Sequence, residues 1–176
     1  MQAELEYIRQ SMTSKAKKMA VSIVAALLLI FLYSIIFSFS AQDGEQTGSL
    51  SHMISEKCVA FLNSLSGGQW TQNFMQGLAD YFEHPIRKIA HFAEYACMGV
   101  LVYSVWRPWM ERGRRLFLLA LLWVFVSAAA DEIHQLFVPG RWGSPADVLL
   151  DTCGGAFGVL LCVFAEKTYR KIRRRG

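Results

Sequence analysis

From Met19 to Gln42 the chain runs without a charged residue. A helix needs about 20 apolar residues to cross a bilayer, so this stretch predicts a membrane span over residues 19–39. Ser38, Ser40 and Ala41 imitate the small-residue end of a cleavable signal peptide. The apolar core is longer than the ~7–15 residues of such a peptide, however, and predicts an uncleaved anchor. Three further apolar runs predict spans over residues 86–106, 116–137 and 148–165. Each carries charged or polar residues at one end, and those ends hold the candidate chemistry. The expected fold is an all-α integral membrane protein, a four-transmembrane-helix bundle forming a single domain over residues 1–176.

Between the first two spans, residues 43–84 are polar on average but periodic. Leu50, Ile54, Cys58, Phe61 and Leu65 recur at helical steps, as do Trp70, Phe74, Leu78 and Tyr81, with Gly67 and Gly68 between the sets. This predicts two short amphipathic helices in the first extracytoplasmic loop, lying on the membrane surface or capping the bundle. Pro85 suits the first turn of the second span, where its missing N–H costs nothing. The segments Arg107–Arg115 and Val138–Pro145 read as loops.

Composition narrows the class. At 176 residues and 53% hydrophobic, the chain is too short and too apolar to hold several soluble domains. Its net charge of +4 carries topology information. Arg9, Lys15, Lys17 and Lys18 precede the first span; Arg107, Arg112, Arg114 and Arg115 lie between the second and third; Lys167, Arg170, Lys171, Arg173, Arg174 and Arg175 follow the fourth. Only Lys57, Arg87, Lys88 and Arg141 fall elsewhere, so the positive-inside rule places both termini in the cytoplasm. The Arg-rich tail also suits an anionic lipid surface. Nucleic acid is not an expected partner, because no basic soluble face is present. Cys58, Cys97, Cys153 and Cys162 form no CxxC pair or regular framework, so neither a disulfide scaffold nor a metal site is expected.

The charged span ends converge on one place. The second span opens with Arg87, Lys88, His91, Glu94 and Tyr95, with Arg87, His91 and Glu94 on one face. Glu94 sits about 12 Å inside a helix starting at Ile86, deep for a carboxylate without a partner. The third span runs the other way and ends in Asp131, Glu132, His134 and Gln135; the fourth begins with Asp147 and Asp151. Gly154, Gly155 and Gly158 then form a small-residue stripe that permits close helix approach, within the monomer or in a homo-oligomer. With Arg141 from the loop, these groups share the outer third of the bundle, where ionisable side chains must pair, line a wet cavity or bind something.

Three readings compete there. Interhelical ion pairs would fix helix register. A polar pocket would take a phosphorylated, zwitterionic or amino-bearing head group. Acid–base catalysis would use His91 with Glu94, or His134 with Asp131. Lys88 also reads as an interfacial snorkelling residue. A metal held by His91, Glu94, His134 and Asp131 matches no HExxH or Cys/His spacing, and nothing calls for a cofactor. Walker, GxSxG and dinucleotide-binding glycine motifs are absent.

The string Arg87-Lys88-Ile89-Ala90-His91-Phe92-Ala93-Glu94-Tyr95, then Asp131-Glu132-Ile133-His134-Gln135-Leu136-Phe137-Val138-Pro139-Gly140-Arg141, then Asp147 and Asp151 with Gly154 and Gly158, resembles the VanZ-like family. Phe39-Ser40-Ala41-Gln42 is similar to the family's Ser–Gln ending of the first span. The resemblance implies a multi-pass protein of the bacterial cytoplasmic (inner) membrane, linked to resistance to teicoplanin and related lipoglycopeptides. Joined to the placement of the charges, it leads us to expect recognition of an amphiphile head group at the outer leaflet. The partner would be a membrane lipid, a lipid-linked envelope precursor or a lipoglycopeptide. In that expectation Arg87, His91 and Arg141 engage anionic groups, while Glu94, Asp131 and Asp151 hold those cations or receive amines. Lys88, Tyr95, Gln135 and Asp147 complete the binding set. The alternative is a membrane enzyme acting on a lipid or wall precursor through His91 and Glu94 with Asp131 and Glu132.

Overall fold

The computed structural model describes residues 2–42, 44–111 and 113–174. Arg112 and Arg175, which count toward the charge bias, and Asp43, which opens the first loop, lie outside the described residues. Five helices follow in order: α1 Gln2–Ser40, α2 Gly44–Leu65, α3 Gln72–Trp106, α4 Arg114–Gln135 and α5 Pro145–Arg173. Four of them contain stretches long and apolar enough to cross a membrane: Met12–Ser40, Gln72–Trp106, Arg114–Gln135 and Pro145–Arg173. The molecule is an all-α membrane bundle.

One expectation is corrected here. The second amphipathic segment is not a separate short helix, and Pro85 does not open the second span; α3 starts at Gln72 and runs through Pro85. Proline inside a helix removes the bond to the carbonyl four residues back, here that of Tyr81. The helix persists because α2 lies alongside its first half. Ser55 Oγ donates to the Ala79 carbonyl at 2.6 Å, His52 Nε2 meets Asp80 Oδ1 at 2.9 Å, and Ser51 Oγ donates to Glu83 Oε1 at 3.3 Å. Val59 and Ala79 are buried in the same seam. The segment between the first two spans is thus a helical hairpin that extends α3 rather than a cap across the bundle.

The helix ends follow local chemistry. Thr71 caps α3, its Oγ1 accepting from the Phe74 N–H at 3.4 Å. Pro145 sits at the start of α5 with Asp147 in the first turn, and Arg170, Lys171 and Arg173 occupy the last, complementing the helix dipole. α4 stops at Gln135, two residues short of the expected span end, as Leu136 and Phe137 enter the turn toward Gly140. Gly140 has φ of +72°, which favours glycine, and a Cβ at Gly143 would lie 2.7 Å from the Glu132 carbonyl oxygen.

α3 is the central helix, packed against α5, α1 and α4. It meets α5 backbone to backbone: a Cβ on Gly154 would strike the Phe92 carbonyl, one on Gly158 the Ala96 carbonyl, and one on Gly99 the backbone of Gly155. The glycine stripe therefore serves packing within the monomer. Around this contact Tyr95, Met98, Val102, Leu116, Ala120, Val124, Ala128 and Val159 form the core.

Cross-helix bonds define the two ends of the bundle. At one end Ser22 Oγ donates to the Val105 carbonyl at 2.9 Å, Trp109 Nε1 donates to Ser22 Oγ at 2.6 Å, and Arg107 Nε donates to Glu166 Oε1 at 2.6 Å. At the opposite end Arg141 reaches the end of α1, and Lys88 meets Asp147. Successive spans therefore alternate in direction, and the start of α1 and the end of α5 share the Arg107 end.

Candidate functional site

At the Arg141 end, α3, α4, α5 and the loop between α4 and α5 enclose a polar cavity of about 330 Å³. Helical spacing on α3 turns Arg87, Lys88 and His91 toward it; α4 contributes Glu132 and Gln135, the loop Arg141, and α5 Asp147 and Asp151. Eight of the residues singled out in the sequence thus line one space. His84 and Trp142 line it too and were not anticipated. Treating Pro85 as a helix start cut His84 from the face it shares with Lys88 and His91, and only a helix that continues through Pro85 joins them.

Four of the expected residues stand elsewhere. Tyr95 is fully buried in the core, and Asp131 faces away from the polar cavity. Both line a second, mainly apolar cavity of about 670 Å³ between α1 and α4, with Tyr33, Phe37, Trp123, Ser127 and His134 among its walls. Tyr33, Ser127 and Trp123 bond one another there: the Tyr33 and Ser127 hydroxyls are hydrogen-bonded, and Trp123 Nε1 donates to Tyr33 at 2.9 Å. Glu94 lines neither space; its Oε2 lies 3.7 Å from His91 Nδ1, an ion-pair distance but not a hydrogen bond. His134 stacks on Phe37 with ring centroids 4.7 Å apart, and its Nδ1 is buried without a hydrogen-bond partner.

Within the polar cavity most charges are already engaged. Lys88 Nζ lies 2.6 Å from Asp147 Oδ1. Glu132 Oε2 accepts the Ser144 backbone N–H at 2.7 Å and so fastens the start of α5 to α4. Arg141 donates through Nε to the Gln42 carbonyl at 3.0 Å and through Nη2 to the Phe39 carbonyl at 2.7 Å. Those carbonyls lie at and just beyond the end of α1, where intrahelical donors run out; the Phe39 carbonyl also accepts the Gln42 N–H at 3.3 Å. The guanidinium thus ties the α4–α5 loop to the chain at the end of α1 while it also lines the cavity.

Asp151 is the exception among the carboxylates. It is 1% exposed, it lines the cavity, and neither side-chain oxygen has a hydrogen-bond partner. An unpaired buried carboxylate is costly, and a group that compensates it would lower that cost. Arg87, half-buried on the same cavity, makes no ion pair among the described residues. The arrangement can therefore bind a group bearing both charges. His91 and Glu94 lie at ion-pair distance, with Glu94 outside the cavity.

No curated protein and no solved structure matches the chain. The family model described as VanZ/LLP1 matches residues 25–166, a stretch that holds every residue of the polar cavity. The chain belongs to the VanZ/LLP1 family.

Proposed function

We propose that this protein recognises the head group of an amphiphile at the outer leaflet of the bacterial cytoplasmic membrane. The observation that carries the reading is the polar cavity, with Asp151 buried and unpartnered, lying across α4 from an apolar cavity open between α1 and α4. A polar space beside an apolar one suits a ligand that is itself divided into head and tail. Basic residues concentrate at the other end of the bundle, and the positive-inside rule then turns the cavity outward with both termini cytoplasmic. The ligand class comprises membrane lipids, lipid-linked envelope precursors and lipoglycopeptides. Family membership extends the reading to a contribution to teicoplanin resistance.

An enzyme acting on the same ligands has one observation in its favour, the proximity of His91 and Glu94. Binding is the better reading, because Glu94 and Asp131 do not line the polar cavity that would hold the substrate. Native mass spectrometry of the detergent-purified protein tests the proposal. A co-purifying lipid or precursor, lost from an Arg87→Gln/His91→Gln variant, is the expected result. Empty spectra from stable protein of both kinds would overturn it.

A further inference from the structure

We infer that the polar cavity selects a head group carrying a primary ammonium beside an anionic group, with the ammonium seated on Asp151 and the anionic group at Arg87 and His84. This rests on the head-group reading above and specifies its chemistry.

The assignment follows from which charges the fold has already satisfied. Asp147 is held by Lys88 at 2.6 Å, and Glu132 accepts the Ser144 N–H at 2.7 Å. Asp151, one helical turn beyond Asp147 along α5, keeps both oxygens unpartnered at 1% exposure. Of the three guanidinium and ammonium groups on the cavity, Lys88 is paired and Arg141 is bonded to the end of α1. Arg87 is left, with His84 one turn before it on α3. One carboxylate and one guanidinium thus remain for a ligand.

The cation that answers Asp151 is an N–H donor. Among the described residues no group of three His, Cys, Asp or Glu side chains is placed to hold a metal ion. A primary ammonium has three N–H donors and can satisfy both carboxylate oxygens. A quaternary ammonium has none and leaves them unsatisfied in a buried site, and that difference is what the cavity reads. Arg87 presents a planar donor fork suited to phosphate or carboxylate. The ligand chemistry is thus that of an aminophospholipid, or of a water-borne amine with an adjacent anionic group.

The full chain in detergent, offered equal amounts of phosphatidylethanolamine, phosphatidylcholine and phosphatidylglycerol, tests this by native mass spectrometry. A parallel thermal-unfolding titration uses O-phosphoethanolamine and phosphocholine. The expected preference for the primary ammonium is about tenfold, the worth of one charge-assisted hydrogen bond. Asp151→Asn should abolish it. Selective retention of phosphatidylethanolamine supports the inference with a membrane lipid as the source; selective stabilisation by O-phosphoethanolamine supports it with a water-borne one. If the wild-type protein binds these lipids but shows no ammonium preference in either experiment, the inference falls and the head-group reading stands. If a folded wild-type protein binds none of these compounds and carries no co-purified amphiphile, both fall.

Discussion

Gln135 Nε2 donates to Asp131 Oδ2 at 3.1 Å, one turn apart on α4, and the two side chains line different cavities. This hydrogen bond stands between the polar space and the apolar one. Both residues are buried, so the bond satisfies polar groups that water does not reach.

Removing the donor leaves Asp131 Oδ2 buried without the N–H that satisfies it. Gln135→Ala is expected to destabilise the protein by about 1–3 kcal/mol, the cost of an unsatisfied buried acceptor. Asp131→Asn, which keeps one carbonyl oxygen to receive the bond, is expected to cost less. Equilibrium unfolding in mixed micelles checks both, and an undiminished stability in Gln135→Ala would show that the bond does not matter to the fold.

The contact between α3 and α5 makes a sharper steric prediction. Gly158→Ala drives a methyl into the Ala96 carbonyl, and backbone cannot yield as a side chain can. A loss of about 1–3 kcal/mol is expected, as for overpacking elsewhere. Gly77→Ala on the same α3 meets nothing within 4 Å and is expected to be neutral or stabilising. Thermal unfolding of the pair separates packing from helix propensity.

Arg141→Lys keeps the charge but replaces a planar fork with a single ammonium. The carbonyls of Phe39 and Gln42 would lose their paired donors, and the end of α1 should loosen. Hydrogen exchange should rise in residues 36–42, with little change at the Ser22–Val105 contact of the opposite end. Unchanged protection at residues 36–42 would remove Arg141 from the role given to it here.

Lys88 and Asp147 make the shortest ion pair on the cavity, yet their side chains are 39% and 33% exposed. Solvent screening holds the coupling of such pairs to about 1 kcal/mol or less. A double-mutant cycle with Lys88→Met and Asp147→Asn should return a small value that falls with added salt.

Much of this architecture is legible in the chain because membrane helices advertise themselves. The charge-free run after Met19 and the three apolar runs behind it require spans, and the polar ends of those runs mark the cavity. Continuity through Pro85 is not legible, since it rests on α2 lying beside α3 and on the Ser55–Ala79 bond between them. Nor is the role of Arg141, because a backbone carbonyl at a helix end leaves no signature in sequence. Asp131 and Asp151 look equivalent as carboxylates near span ends. Only the tight glycine contact of α3 with α5, together with the rotation of α4, puts one beside α1 and the other in the polar cavity.

The central claim is that the polar cavity holds a head group, and an experimental structure of the protein in nanodiscs of bacterial polar lipid tests it most directly. The account predicts non-protein density between Arg87 and Asp151, within hydrogen-bonding distance of the Asp151 carboxylate. A cavity holding only water, with Arg87 turned onto Asp151, would contradict it and make the charges an internal ion pair.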